Sequence, residues 1–232
     1  DGPSASGKST LARGLAQRLG FLHVDSGAVY RAVTWKALED GVDVNDEEAL
    51  GDLAGRLAMT FRVHAGCVGP AVDGYEPGEA LRSARVNGSV SPVAASPHVR
   101  AKVTSWLRSM RELGSLVMEG RDIGTAVFPD AACKFFLRSD ARERAKRRHQ
   151  QFPGGNEGRS VDEVKASLTH RDRIDSGRKT APLCCADDAV EVDNTRMDPA
   201  ETLEYVLERL PRCVREAASG FGSGVGSDVP AG

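Results

Sequence analysis

The sequence predicts an α/β fold, a mostly parallel sheet covered on both faces by helices. Three observations carry that expectation. Short apolar runs alternate with longer stretches of helical period. Residues Gly2 to Ser9 read Gly-Pro-Ser-Ala-Ser-Gly-Lys-Ser, the G-x-x-x-x-G-K-[ST] spacing of a phosphate-binding loop (P-loop) that leads into a helix. A length of 232 residues with 40% hydrophobic and 28% charged content suits one globular domain with at most a small insertion.

Taken in order, the elements justify the class. Gly2 and Gly7 permit backbone angles that a side chain would forbid, so the loop's N–H groups can turn inward on a polyphosphate. Pro3, Ser4, Ala5, Ser6 and Thr10 complete the cradle, Lys8 is the cation for the terminal phosphates, and Ser9 is the hydroxyl for Mg²⁺. A strand of about five or six apolar residues normally leads into such a loop. None precedes Asp1, so the fold is predicted with that strand missing and this chain compromised beside a complete gene product. Leu11, Leu15 and Leu19 recur on one helical face, with Gly20 as the stop.

Residues 21–24 read as a strand, and Ser26 as the N-cap of a helix over 28–39. A helix follows near 46–58. Residues 59–64 and 67–72 read as a hairpin, making 59–75 a small antiparallel insertion. Short helical pieces fill 77–95, and a longer helix covers 97–113. Strands are predicted at 116–118 and 133–137, a strongly basic helix at 141–151, a mobile Pro/Gly segment at 152–158 and a helix at 161–173. The last strand is 189–192 and the last helix 199–218. The domain plan is thus a core of 1–58 and 96–218, a lid at about 140–160, an insert over 59–95, and a Gly/Ser-rich tail over 219–232 that reads as disordered.

Charge narrows the partners. With 31 basic and 33 acidic residues the net charge is −2, which argues against a nucleic-acid polymer. The cysteines at 67, 133, 184, 185 and 213 lack metal-ligand spacing, and no apolar run reaches membrane length. A reduced, cytoplasmic chain with no membrane partner is expected. Basic residues gather locally instead. Arg31, Arg121, Arg171 and Arg178 fall at strand ends and in loops, the part of an α/β sheet that lines a ligand crevice, and Arg144, Arg147 and Arg148 make a cationic helix. For any one arginine a surface salt bridge is the ordinary alternative.

Asp1-Gly2-Pro3, Asp25-Ser26-Gly27-x-x-Tyr30-Arg31, Glu119-Gly120-Arg121-Asp122-Ile123-Gly124-Thr125, Val127-Phe128-Pro129-Asp130-Ala131, Glu143-Arg144-Ala145 with Arg147-Arg148, and Ala181-Pro182-Leu183 occur in order from residue 1 to about 211. Together they resemble the bacterial cytidylate kinases, P-loop enzymes that transfer the γ-phosphate of ATP to CMP or dCMP. The resemblance implies that Gly2 to Thr10 bind the ATP phosphates and Mg²⁺, and that Arg144, Arg147 and Arg148 form a lid over ATP. It implies that Ser26, Tyr30, Arg31 and Arg121 hold the acceptor's sugar and phosphate, and that Ser91, Arg100 and Asp122 read the cytosine edge. Arg171, Asp175 and Arg178 would contact the acceptor's phosphate and ribose, and residues 59–95 would be the nucleotide-monophosphate insert of a monomeric enzyme. Pro92 directly follows Ser91 and restricts its backbone.

The chemistry is consistent with those residues. Phosphoryl transfer asks for positioning and charge neutralisation. A phosphate monoester, with a second pKa of about 6, is already a dianion at pH 7 and needs no general base. A carboxylate such as Asp122 accepts from the exocyclic amine of cytosine and repels the oxygen of uracil. Asp122 is otherwise a turn acid or a partner of Arg121, and Glu119 either orients Mg²⁺ through water or caps a turn. Two other readings stay open. A hydroxyl-acceptor kinase of the shikimate type would use Asp25 as base, and a fragment lacking its first strand would bind nucleotide without catalysis.

Overall fold

The computed structural model describes residues 1–151, 160–219 and 229–230. Helix α1 (Lys8–Leu19), strand β1 (Leu22–Asp25), α2 (Ser26–Glu39), α3 (Glu47–Arg56), β2 (Met59–His64) and β3 (Cys67–Val72) come first. They are followed by α4 (Ala84–Ala95), α5 (Pro97–Ser109), β4 (Leu116–Glu119) and β5 (Phe135–Arg138). Then come α6 (Ala141–Gln151), α7 (Val161–Gly177), β6 (Val190–Asp193), α8 (Pro199–Glu208), α9 (Arg212–Ser219) and β7 (Val229–Pro230). The chain divides into two compact units, residues 16–119 with 216–232, and residues 1–15 with 120–215, the division falling within α1.

In the unit of residues 16–119 the sheet order is β4-β1-β3-β2-β7. β1 is parallel to β4 over four residue pairs from Leu22↔Leu116 to Asp25↔Glu119. The predicted hairpin forms as read, from Met59↔Val72 to His64↔Cys67. It is not set apart from the sheet, because β3 runs parallel to β1 through His23↔Cys67 and Val24↔Val68. Of the stretch read as a tail beyond 219, the structure describes Val229–Pro230, paired antiparallel to β2. Val24, Val33, Leu53, Met59, Val103, Trp106 and Leu107 are all buried in this unit's core. Asp46 caps α3 by accepting from the Ala49 N–H. Ser26 was expected to cap α2, but Asp25 holds that place and Ser26 is the buried first residue of the helix. Helix α4 carries Pro92 in its interior, so Ser91 is helical although a residue before proline favours extended backbone. The fourth residue back, whose carbonyl loses its helical N–H to the proline, is the exposed Gly88.

In the other unit β5 and β6 are parallel from Phe135↔Val190 to Arg138↔Asp193. Asp1 lies along β5: its amino group donates to the Phe135 carbonyl at 2.7 Å and its carbonyl accepts from the Leu137 N–H at 2.8 Å. Its carboxylate accepts from the N–H groups of Ile123 at 3.0 Å and Gly124 at 2.7 Å, tying down the turn after β4. Between α6 and α7, Ala145, Val164 and Leu168 form a small apolar cluster. The segment 152–158, predicted to be mobile, lies outside the described residues. The single helix predicted over 199–218 is two, α8 and α9, because Pro211 has no N–H to continue the ladder.

Candidate active site

The phosphate loop is built from side chains holding its carbonyls. Gly2 has φ +146°, and a Cβ there would lie 2.5 Å from the Leu137 carbonyl oxygen, so only glycine passes so close to β5. Ala5 is left-handed at φ 59° and Gly7 at φ 94°. Lys8 Nζ donates to the Pro3 carbonyl at 2.6 Å, Arg144 Nη1 to the Ser4 carbonyl at 3.0 Å, and Asn194 Nδ2 to the Ser6 carbonyl at 2.9 Å. In a planar trans peptide the N–H points opposite to its C=O, so the Ala5 and Gly7 N–H groups turn away from Arg144 and Asn194. The N-terminus of α1 starts at Lys8 with no acidic residue in its first turn, which favours an anion. The Ser6 hydroxyl is fully buried and, among the described residues, has no hydrogen-bond partner; a phosphate oxygen would satisfy it. These features fit a nucleotide's phosphates. Ser9, exposed at the start of α1, can offer one oxygen to Mg²⁺, and the described residues hold no cluster of three or more acidic, His or Cys ligands.

The same unit gathers most of the predicted arginines. Arg121 donates from Nε to Asp175 at 2.9 Å and from Nη2 to the Ser4 hydroxyl at 2.8 Å. Arg178 caps α7, donating from Nε to the Asp175 carbonyl at 3.2 Å. Arg171 lies inside α7 and not in a loop, as the predicted helix over 161–173 already implies; that helix runs on to Gly177. Asp122 is buried, and its carbonyl accepts from the N–H groups of Ala126 and Val127. Arg144 is buried and Arg147 braces the connection after β6, donating from Nη2 to the Asn194 carbonyl at 2.7 Å. Arg148 is half-buried on α6.

The unit of residues 16–119 carries the remaining candidates. Arg31 Nη2 donates to the Asp25 carboxylate at 2.6 Å. Burial pushes that carboxyl's pKa up, but the charge and hydrogen bond of Arg31, with Arg82 and His23 nearby, outweigh it and hold it below the ordinary value. The buried Arg100 donates to the Ala94 carbonyl at 3.1 Å and lies 5.5 Å from the centre of the Tyr30 ring. Ser91 is half-buried on α4. Glu119, at the end of β4, is 3.3 Å from His23 Nε2 in the interior. The structure thus joins Lys8, Ser4, Arg121, Asp175, Arg178 and Arg144 in one unit, and Arg31, Tyr30 and Arg100 in the other.

Sequence reasoning missed Asp172 and Asn194. Asp172 accepts from the Ser4 N–H and from Arg144, and Asn194 holds the Ser6 carbonyl. Asn194 had a signal, its place just past the C-terminal end of β6, where α/β proteins build sites. Asp172 had only its adjacency to Arg171.

The family model for cytidylate kinase matches residues 1–212. The chain is 42% identical over 216 residues to a cytidylate kinase of Geobacillus thermodenitrificans, covering 93% of this chain and 95% of that one. It is 39% identical to a cytidylate kinase of Geobacter sulfurreducens, covering 93% and 91% respectively. A bifunctional pantoate ligase/cytidylate kinase of a Synechococcus strain is 43% identical, the match covering 93% of this chain and 44% of that protein. The phosphate loop, the arginines at its rim and these likenesses agree: the chain belongs to the cytidylate kinase family.

Proposed function

We propose that this kinase transfers the γ-phosphate of ATP to CMP or dCMP, giving CDP or dCDP, and that its arginines serve to bring two mutually repelling phosphate groups together. An oxygen of the acceptor's phosphate dianion attacks the γ-phosphorus, the bond to the β-side oxygen breaks, and ADP leaves. Gly2 to Thr10 would take the ATP phosphates, and Mg²⁺, held in part by Ser9, would supply charge screening between them. Lys8, Arg121, Arg171 and Arg178 would offset charge at the phosphates, with Arg31 on the acceptor. Tyr30, Ser26 and Asp175 would hold the acceptor's sugar and phosphate, and Arg100, Asp122 and Ser91 its base. Arg148 would join Arg144 and Arg147 above ATP. All five cysteines are unbridged, which supports a reducing compartment such as the cytoplasm; there the enzyme would act as a monomer on small nucleotides, with no nucleic-acid or membrane partner.

The observation that carries this reading is the loop itself, whose Pro3, Ser4 and Ser6 carbonyls are each held by a side-chain donor while the N-terminus of α1 opens beside them. ADP release with CMP, dCMP, UMP or shikimate offered separately tests it. CMP and dCMP should support turnover, UMP poorly and shikimate not at all. Turnover on shikimate with none on CMP would overturn it.

A further inference from the structure

We propose that Asp172 is a positioning residue for the phosphate loop: with Arg144 it clamps the Ser4 peptide from both sides and so fixes the loop's shape for the triphosphate. The proposal rests on the reading that this loop takes ATP. Asp172 Oδ1 accepts from the Ser4 N–H at 3.1 Å, and its Oδ2 accepts from Arg144 Nη1 at 2.5 Å. The same Nη1 donates to the Ser4 carbonyl at 3.0 Å, while Arg144 Nε is held by the Ser139 carbonyl at 3.1 Å. Arg121 takes the Ser4 hydroxyl, so all three polar groups of Ser4 are engaged by charged side chains.

Two features set this apart from an ordinary ion pair. The side chains of Arg144 and Asp172 are only 9% and 17% exposed, and both reach backbone of the loop rather than solvent. The residue next to Ser4 is Ala5, left-handed at φ 59°, a conformation that persists in a non-glycine residue only when its surroundings enforce it. Ala5 also packs against the Ala145, Val164 and Leu168 cluster. Val164, Leu168 and Asp172 are spaced four apart on one face of α7, and Arg144 adjoins Ala145 on α6. The α6–α7 pair therefore grips two consecutive loop residues, Ser4 by charge and Ala5 by packing. A carboxylate beside a polyanion site is electrostatically costly, and Arg144 offsets its charge.

The test compares Asp172→Ala and Asp172→Asn with wild type and with Asp188→Ala, which removes a surface partner of Lys134 in the same unit. Titration calorimetry gives the Kd for ATP, steady-state kinetics the KM for CMP, and thermal melts the fold. Asp172→Ala should weaken ATP about 10-fold or more while leaving the KM for CMP within about 2-fold. Asp172→Asn should lose less, because its amide oxygen can still accept from Ser4. Arg144→Ala should give a similar ATP loss, and the double variant should fall well short of the product of the two. If Asp172→Ala does not fold, Asp172→Asn decides: a measurable ATP loss at an unchanged KM for CMP supports the clamp, and an unchanged ATP affinity overturns it. Unchanged ATP affinity, or equal weakening of ATP and CMP in step with a lowered Tm, would overturn the clamp. A wild type that binds ATP but leaves CMP untouched would sink the acceptor reading alone, and the ATP affinities would still decide the clamp.

Discussion

The two units hold their candidate polar groups with a different balance of partners. In the unit of residues 1–15 and 120–215, Lys8, Arg144, Asn194 and Asp172 are arranged around an eight-residue turn of backbone and hold its peptide carbonyls and N–H groups. In the unit of residues 16–119, the candidate arginines sit on helices packed against an apolar sheet and mainly meet other side chains: Arg31 pairs with Asp25 at the end of β1, and Arg100 faces the Tyr30 ring while donating to the Ala94 carbonyl. The first arrangement shapes backbone to meet an anion and depends on many long-range contacts. The second presents side chains and depends on helix packing. Substitutions in the two should therefore fail differently, the first through loop geometry and the ATP phosphates, the second through local charge balance and the acceptor nucleotide.

The sharpest way to break the comparison is to remove a charge at the loop. Lys8→Ala should lower kcat about 10³-fold or more, equivalent to about 4 kcal/mol of transition-state stabilisation, with a near-normal melt. A rate within about 10-fold of wild type would show that the ammonium group is there for the loop carbonyl alone. Gly2→Ala should act on the fold instead. The added carbon would lie 2.5 Å from the Leu137 carbonyl at a φ of +146°, so a loss of about 3 kcal/mol or more is expected in denaturant unfolding. A variant as stable as wild type would mean that the close approach of loop and β5 is not needed.

The contrast also explains how much was legible in the sequence. The loop was readable because its determinants are contiguous: glycine spacing, Lys8 and the helix that follows. The hairpin of β2 and β3 was readable because alternation and a two-residue turn are local too. The braces were not. Asp172 and Asn194 lie 168 and 188 residues from the loop atoms they hold, and nothing in a run of α7 marks which carboxylate turns inward. Nor does local pattern show that β3 joins β1, since parallel pairing is decided by packing and not by a turn. Ser26 read as a cap from residue type alone, whereas its burial as the first residue of α2 came from tertiary packing.

On the other side of the comparison, the Asp25–Arg31 pair predicts a pH signature. Its carboxyl has a lowered pKa, so the stabilisation it provides is complete above the ordinary carboxylate range and fades as pH falls through that range toward the lower folded value. Asp25→Asn should therefore be less stable than wild type by about 1–2 kcal/mol at pH 7. The gap should stay constant down to about pH 5 and narrow as the pH drops below about 4. Paired denaturant titrations at these pH values measure it. A gap that widened on acidification would reverse the sign and show that burial, not Arg31, sets the state of Asp25.

The smallest effect contrasts two glycines that sit inside helices. Gly88, in the middle of α4, has open space around the position of a Cβ, so it carries the entropic cost of glycine in a helix with no packing in return. Gly88→Ala should stabilise the protein by about 0.5–1 kcal/mol. Gly14, in α1, faces Leu203, whose side chain would be 3.1 Å from an added Cβ. Gly14→Ala gains the same helix propensity but has to displace that leucine, so its net change should be near zero or destabilising. The difference between the two, read as Tm in one buffer, isolates packing from propensity. Equal stabilisation would mean that Leu203 yields at no cost, and that the helix beside the phosphate loop is packed no more tightly there than an exposed one.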